Sequence, residues 1–243
     1  PDWMPAGAVP TGGENIVAPA RNYGHDPEAM LAAVRPDTRL VWIANPNNPT
    51  GTFLTYGEVR RFMESVPADV LVVLDEAYNE YLLPADREES VGWIREFPNL
   101  VIARTFSKVY GLAGLRVGFG VASAEVADLL NRIRMPFNVN NLALVAAGAA
   151  LDDHRFVAES FDLNRQGMEQ LVAGCKRLGL EHIPSHANFI AVNVGDAQGI
   201  NLKLLRQGVI VRPVAMPGFL RVTVGLPSEN ARFLEALDKA LHG

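Results

Sequence analysis

Three short stretches, "RLVWIAN" (39–45), "VLVVLDE" (70–76) and "LVIARTF" (100–106), are apolar at consecutive positions rather than at alternate ones. A strand with one face in water alternates apolar and polar residues, so an unbroken run marks a strand covered on both faces. Such strands sit in largely parallel sheets, whose neighbours are joined by crossovers long enough to hold a helix. The segment between the first two supplies one: in "TYGEVRRFMESV" (55–66), Val59, Phe62, Met63 and Val66 recur at helical spacing. The expected fold class is therefore α/β with a mostly parallel sheet. A fourth strand is expected at 116–122, followed by a helix from the N-cap Ser123 through Arg134.

Beyond this the pattern changes. "RMPFNVNN" (134–141) interrupts it with a proline and turn residues, and helices follow over 141–151 and 154–178. Strands at 188–194, 209–214 and 219–225 surround a short helix near 197–206, and a last helix opens at Pro227 with Ser228 as its N-cap. These residues read as a small α+β domain. The expected division is 1–150 for a large domain and 151–243 for the small one.

The balance of 27 acidic against 22 basic residues, a formal charge of −5, speaks against nucleic-acid and membrane-surface partners. The longest apolar run, "LALVAAGAAL" (142–151), is too short to span a bilayer. No basic leader or cleavage pattern opens the chain, and the expectation is a cytoplasmic protein. The lone Cys175 reads as a small apolar filler in a helix, and the five histidines show no metal-ligand spacing. The Pro- and Gly-rich opening "PDWMPAGAVPTGGEN", without an initiator Met, reads as a loop, a processed end or a truncation.

Chemistry-bearing residues gather where the strands end, which is where ligands collect in open parallel sheets. The first strand ends in "NPNNPTG" (45–51), a rigid turn presenting asparagine amides, among them Asn48. The second ends in "LDEAY" (74–78), with Asp75 read as the more sheltered carboxylate, Glu76 as lining the loop, and the phenol of Tyr78. The third ends in "TFSK" (105–108), and Arg116 lies eight residues past Lys108. Each group alone has an ordinary reading: a turn, a helix cap or ion pair, a solvated lysine. Parallel neighbours bring the tips into one crevice holding an amide, a carboxylate, a phenol, an amine and a guanidinium.

"NPNNPTG", "DEAY", "TFSK" and the arginine after them resemble fold type I pyridoxal-phosphate-dependent aminotransferases, and most of all histidinol-phosphate aminotransferases. The likeness extends through "PFNVN" (136–140), "ANFI" (187–190) and "LRVTVG" (220–225). It implies the family's large cofactor-binding domain followed by a small C-terminal one, with pyridoxal 5'-phosphate as cofactor. By resemblance Lys108 is the covalent anchor and proton carrier, Asp75 the partner of the pyridine nitrogen, and Asn48 and Tyr78 the contacts of the ring oxygen. Arg116, Ser107 and Thr105 match the phosphate-binding positions. Arg221 and Arg212 match contacts to anionic groups of the substrate, although an arginine in a strand also suits solvent. Val109 departs from the small residue many relatives carry after the lysine.

The implied activity is exchange of an amino group between glutamate and imidazole-acetol phosphate, giving 2-oxoglutarate and histidinol phosphate, in histidine biosynthesis. Small-molecule amino donors and acceptors are then the partners, with a homodimer as the assembly. The same scaffold also serves aromatic amino acid aminotransferases and phosphothreonine decarboxylases, and a third reading is a non-catalytic cofactor-binding remnant. The family's N-terminal arm, glycine-rich phosphate loop and ring-stacking aromatic find no counterpart in residues 1–24, so the chain is expected to lack the family's first portion. Asn188 is expected to orient a backbone loop.

Overall fold

In the computed structural model, which describes residues 12–242, the three apolar runs lie side by side as β1 (Leu40–Ala44), β2 (Leu71–Asp75) and β3 (Leu100–Thr105). All are parallel, with Ala44 opposite Asp75 and Asp75 opposite Ala103. β4 (Gly118–Ala122) joins β3 antiparallel and completes a sheet of order β1-β2-β3-β4. The opening stretch lies outside the described residues through position 11.

Both faces of the central strands are covered, as unbroken apolar runs require. On one face Ile43, Val72, Leu74, Leu100 and Ile102 pack against Val59, Phe62 and Met63 of α2 (Tyr56–Ser65). Thr55 begins that helix with a capping box, its hydroxyl accepting from the Glu58 N–H while the Glu58 carboxylate accepts from the Thr55 N–H. On the other face Val73 and Val101 meet Val126 of α3 (Ala124–Ile133), whose N-cap is Ser123. A short helix that the periodicity did not announce, α1 (Pro27–Ala32), precedes β1 and is capped by Asp26.

Helices α4 (Asn141–Asp152) and α5 (His154–Arg177) lead into a second sheet. There β5 (His182–Ile183), β6 (Phe189–Asn193), β7 (Arg212–Pro213) and β8 (Phe219–Thr223) are arranged in the order β5-β6-β8-β7 and all are antiparallel. Its core is built by Ile190, Val192, Leu220 and Val222 against Leu171 and Cys175 of α5, Leu204 of α6 (Ala197–Arg206) and Phe233 and Leu237 of α7 (Pro227–His242). Cys175 is fully buried, and burial pushes its thiol up to about 11, in keeping with a packing role.

Two local expectations are corrected. Ser228 is not the N-cap of α7, because the helix already begins at Pro227, whose fixed φ suits the first helical position. The end is satisfied by Glu229, which accepts from the Leu226 N–H (2.7 Å), and by buried Asn230, which accepts from the Gly225 N–H (2.9 Å). The strand over 209–214 contracts to Arg212–Pro213: Ile210 is 85% exposed, and Pro213 has no N–H to extend the ladder.

The two sheets meet at Gly51. Its carbonyl accepts from the His186 N–H (2.8 Å), its φ is +76°, and a Cβ there would stand 2.0 Å from the Ser185 Oγ. Gly51→Ala is expected to lower the urea midpoint, since a left-handed alanine costs about 1–2 kcal/mol and overpacking about 1–3 kcal/mol. An unchanged midpoint would show that this approach is not tight.

Candidate active site

The turn after β1 is locked by its own side chains. Asn45 is buried, donating from Nδ2 to the Leu54 carbonyl (2.9 Å) and accepting at Oδ1 from the Leu54 N–H (2.8 Å). Asn47 donates to the Thr50 Oγ1 (2.8 Å), and both Asn–Pro bonds, 45–46 and 48–49, are cis. Two of the three asparagines are thus consumed in holding the turn. The Asn48 Oδ1 reaches across to the second sheet and accepts from the Arg221 Nη1 (2.7 Å).

At the tip of β2, Asp75 accepts from the Ala77 N–H (3.1 Å), and burial raises its carboxyl above the ordinary range. It is not the more sheltered carboxylate of the pair. Glu76 is fully buried, while Asp75 is only half-buried. Successive strand residues face opposite sides, so Glu76 turns into the covered face above α2 and Asp75 away from it. Tyr78 is buried edge-on against Phe189, with centroids 5.2 Å apart and planes at 84°, and burial raises its phenol pKa.

After β3 the Thr105 Oγ1 accepts from the Ser107 N–H (3.0 Å), and the Ser107 Oγ accepts from the Arg116 Nη1 (3.3 Å). Arg116 is exposed, sits in the left-handed region at φ 55°, and also donates to the Ala113 carbonyl (2.8 Å). Gly111, at φ +71°, has the Phe156 ring 3.4 Å from where a Cβ would stand, whereas Gly114 faces open space. The half-buried Lys108 Nζ lies 5.3 Å from the centroid of the Tyr78 ring. Its pKa is lowered, first by burial and then by the charges of Arg221 and Arg116, with Asp75 acting in the opposite sense. Asp75 at the end of β2, Lys108 and Arg116 of the β3–β4 connection, and Arg221 of the second sheet therefore share one electrostatic field.

Arg221 comes from the centre of β8. Its guanidinium stacks over Phe189 at 4.9 Å, and its Nε is buried without a hydrogen-bond partner. Arg212, exposed on β7, is its cross-strand neighbour. Like charges directly opposite are destabilising, and together with the unpartnered donor they mark a place where an anion would be stabilised.

Several side chains outside this group take structural parts. The His186 ring stacks near Phe53 at 5.3 Å and His25 bonds the Ala44 carbonyl through Nε2 (3.1 Å), while the backbone carbonyl of Asn188 accepts from the Val224 N–H (2.9 Å). Among the described residues no cluster of His, Cys, Asp or Glu is placed to hold a metal ion, and no helix is long and apolar enough to cross a membrane. Sequence reasoning missed Phe189, which carries both Tyr78 and Arg221, and the trio of buried Tyr56 and Glu76 with half-buried Arg104. The available signal for the trio was Arg104 itself, a cation inside a run otherwise buried on both faces.

Residues 6–237 match the family model described as aminotransferase class I and II. The chain is 67% identical over 240 residues to "Histidinol-phosphate aminotransferase 1" of Dechloromonas aromatica, covering 98% of this chain and 66% of that protein. It is 60% identical to the protein of the same name from Thiobacillus denitrificans, covering 95% and 61% of the two. The chain thus spans somewhat under two thirds of the length of these curated relatives. The crystal structure of histidinol-phosphate aminotransferase from Sinorhizobium meliloti in complex with pyridoxal-5'-phosphate superposes with a TM-score of 0.88 at 32% identity, covering 95% of this chain and 65% of that one. The α/β architecture is therefore that of the fold type I enzymes, and the chain belongs to the class I and II aminotransferase family.

Proposed function

We propose that the protein exchanges an amino group between glutamate and imidazole-acetol phosphate, giving 2-oxoglutarate and histidinol phosphate, in histidine biosynthesis, with pyridoxal 5'-phosphate as cofactor. The observation that carries this reading is the meeting of Lys108, an amine with a lowered pKa, with Asp75 at the tip of β2, Arg116 of the β3–β4 connection and Arg221 of β8. The donor set fits that cofactor. It offers an amine for an aldehyde, a carboxylate for a ring nitrogen, and a hydroxyl–guanidinium pair, Ser107 and Arg116, for a phosphate. When bound, the cofactor supplies an electron-withdrawing ring that stabilises negative charge at the substrate carbon.

The chain's own residues do the rest. The Lys108 Nζ would hold the cofactor's aldehyde carbon and, once displaced by the substrate amine, would carry the proton from the substrate carbon to the cofactor carbon it had held. Asp75 holds a proton on the ring nitrogen by its negative charge. Asn48 and Tyr78 hydrogen-bond the ring oxygen, and Thr105, Ser107 and Arg116 hold the phosphate. Arg221, with its unpartnered Nε, and Arg212 opposite it accept carboxylate and phosphate in turn.

The names of the relatives support this substrate over an aromatic amino acid or phosphothreonine, for which only the shared scaffold speaks. We also infer a cytoplasmic homodimer, on the family resemblance and on a composition holding one cysteine. A domain division near residue 150 accords with strands at 40–122 forming one sheet and those at 182–223 the other.

The test is single-turnover spectroscopy of the cofactor-loaded protein with histidinol phosphate, tyrosine and phenylalanine. Fastest loss of the cofactor's visible band with histidinol phosphate is the expected result. Response to the aromatic amino acids alone moves the assignment to an aromatic aminotransferase, and response to none favours an inert cofactor-binding chain.

A further inference from the structure

Behind the strand tips, on the face of the sheet turned away from Asp75, lies an ion pair between a fully buried carboxylate and a half-buried guanidinium that the catalytic scheme does not use. The Glu76 N–H donates to the Ala103 carbonyl (2.9 Å), which continues the β2–β3 register one step past Asp75. Alternation then sets Glu76 and Arg104 on one face and Asp75 and Thr105 on the other. The Arg104 Nε and Nη2 both reach the Glu76 Oε2 at 2.9 Å, and Nη2 also lies 3.3 Å from the Ser90 Oγ. The Tyr56 hydroxyl stands 2.9 Å from the Glu76 Oε1 and 2.9 Å from the Asn79 Oδ1. A phenol has one proton, so with the Asn79 amide turned about, its Nδ2 donates to the phenol oxygen and all contacts are satisfied. Both oxygens of a fully buried carboxylate are thereby engaged, by Arg104 of β3 and Tyr56 of α2, which Ser90 and Asn79 hold in turn.

We propose that Glu76 and Arg104 are positioning residues, a directional tether that holds the Asp75 end of β2 in register with the Thr105–Lys108 end of β3. This rests on the reading that those two ends share one cofactor. A buried ion pair contributes little to stability compared with a well-packed apolar pair of similar volume. What it adds is geometry, because a guanidinium fork and a carboxylate fix distance and angle together. The tether lies one residue past Asp75 and one before Thr105, so a slip of either tip would pass directly to the ring-nitrogen contact and to the Thr105–Ser107 turn.

The experiment compares the full chain with Glu76→Met, Arg104→Met, the double Met variant and Arg104→Lys. Melting temperature and amide exchange are measured without cofactor, and cofactor retention after loading. Each single Met variant is expected to melt well below the wild type, and the double variant to regain most of that loss. Exchange at Ala77 and Ser107, whose amides bond Asp75 and Thr105, is nevertheless expected to quicken by about tenfold in the double variant, with cofactor release faster by a similar factor. Arg104→Lys keeps the charge without the fork. It should melt near the wild type and show the same local quickening, so a double variant that folds poorly does not remove the test. Wild-type exchange in Arg104→Lys, or quickening spread evenly over both sheets, overturns the proposal. If the wild type takes up no pyridoxal phosphate, the functional reading falls, and exchange at Ala77 and Ser107 still decides whether the tether exists.

Discussion

Lys108→Ala is expected to abolish the borohydride-reducible adduct with pyridoxal phosphate and to slow amino transfer by about 10⁴-fold or more, the upper range for losing a positioned base. The chain holds three other lysines, 176, 203 and 239, and the structure gives none of them a comparable setting. The Lys203 Nζ donates to the Ala240 carbonyl (2.9 Å), and Lys239 pairs with Glu235 on the exposed face of α7. Peptide mapping after reduction should therefore find the label on Lys108 alone, and a label elsewhere, or retained turnover, would remove its assigned role. The pH dependence follows from the site. Burial disfavours the ammonium form, and the positive charges of Arg221 and Arg116 disfavour it further, so the amine becomes free at lower pH than an ordinary lysine. Capture needs the free amine, and its rate should rise through a midpoint below the lysine range. Arg221→Gln removes one of those positive charges and should move the midpoint upward.

Asp75→Asn should separate binding from turnover. The substitution keeps the shape and the acceptor for the Ala77 N–H, so the turn after β2 stays in place. Lys108, Ser107 and Arg116 are untouched, and trapping with borohydride should still reach the wild-type stoichiometry. What is lost is the negative charge that holds a proton on the ring nitrogen. Removing one such preorganised electrostatic group costs about 10²–10³ in rate, and single-turnover kinetics should show that loss. Full-speed turnover by the variant would mean that Asp75 is a structural carboxylate and that another group serves the ring.

Much of the architecture was legible because it rests on local pattern. The runs at 39–45, 70–76 and 100–106 lack alternation, which demands cover on both faces, and the spacing of Val59, Phe62 and Met63 shows what covers one of them. The nearness of Asp75 and Lys108 was legible by a further step, since neighbouring parallel strands end on the same side. The misreadings are informative. In "LDEAY" the apolar residues before Asp75 suggested that it was the sheltered acid, but which of two adjacent carboxylates turns inward depends on strand phase and on what waits on each face. Arg104 and Tyr56, distant in sequence, supply that answer. Likewise Asn45 and Asn47 look like Asn48 in the turn, and only the position of Leu54 and Thr50 shows that they are spent on holding it. Ser228 looked like a cap because capping residues share a chemistry, yet Pro227 already begins the helix.

The order of amino acids determined by itself the strands, most helices and the chemical inventory of the strand tips, because these depend on neighbours a few residues away and on a periodicity of two or 3.6. Folding in three dimensions decided which of those groups face one another. The bond from Arg221 to Asn48, 173 residues apart, the lowered pKa of Lys108 and the burial of Glu76 against Arg104 arise from contacts between distant segments. Desolvation and charge act through space, and no local pattern encodes them.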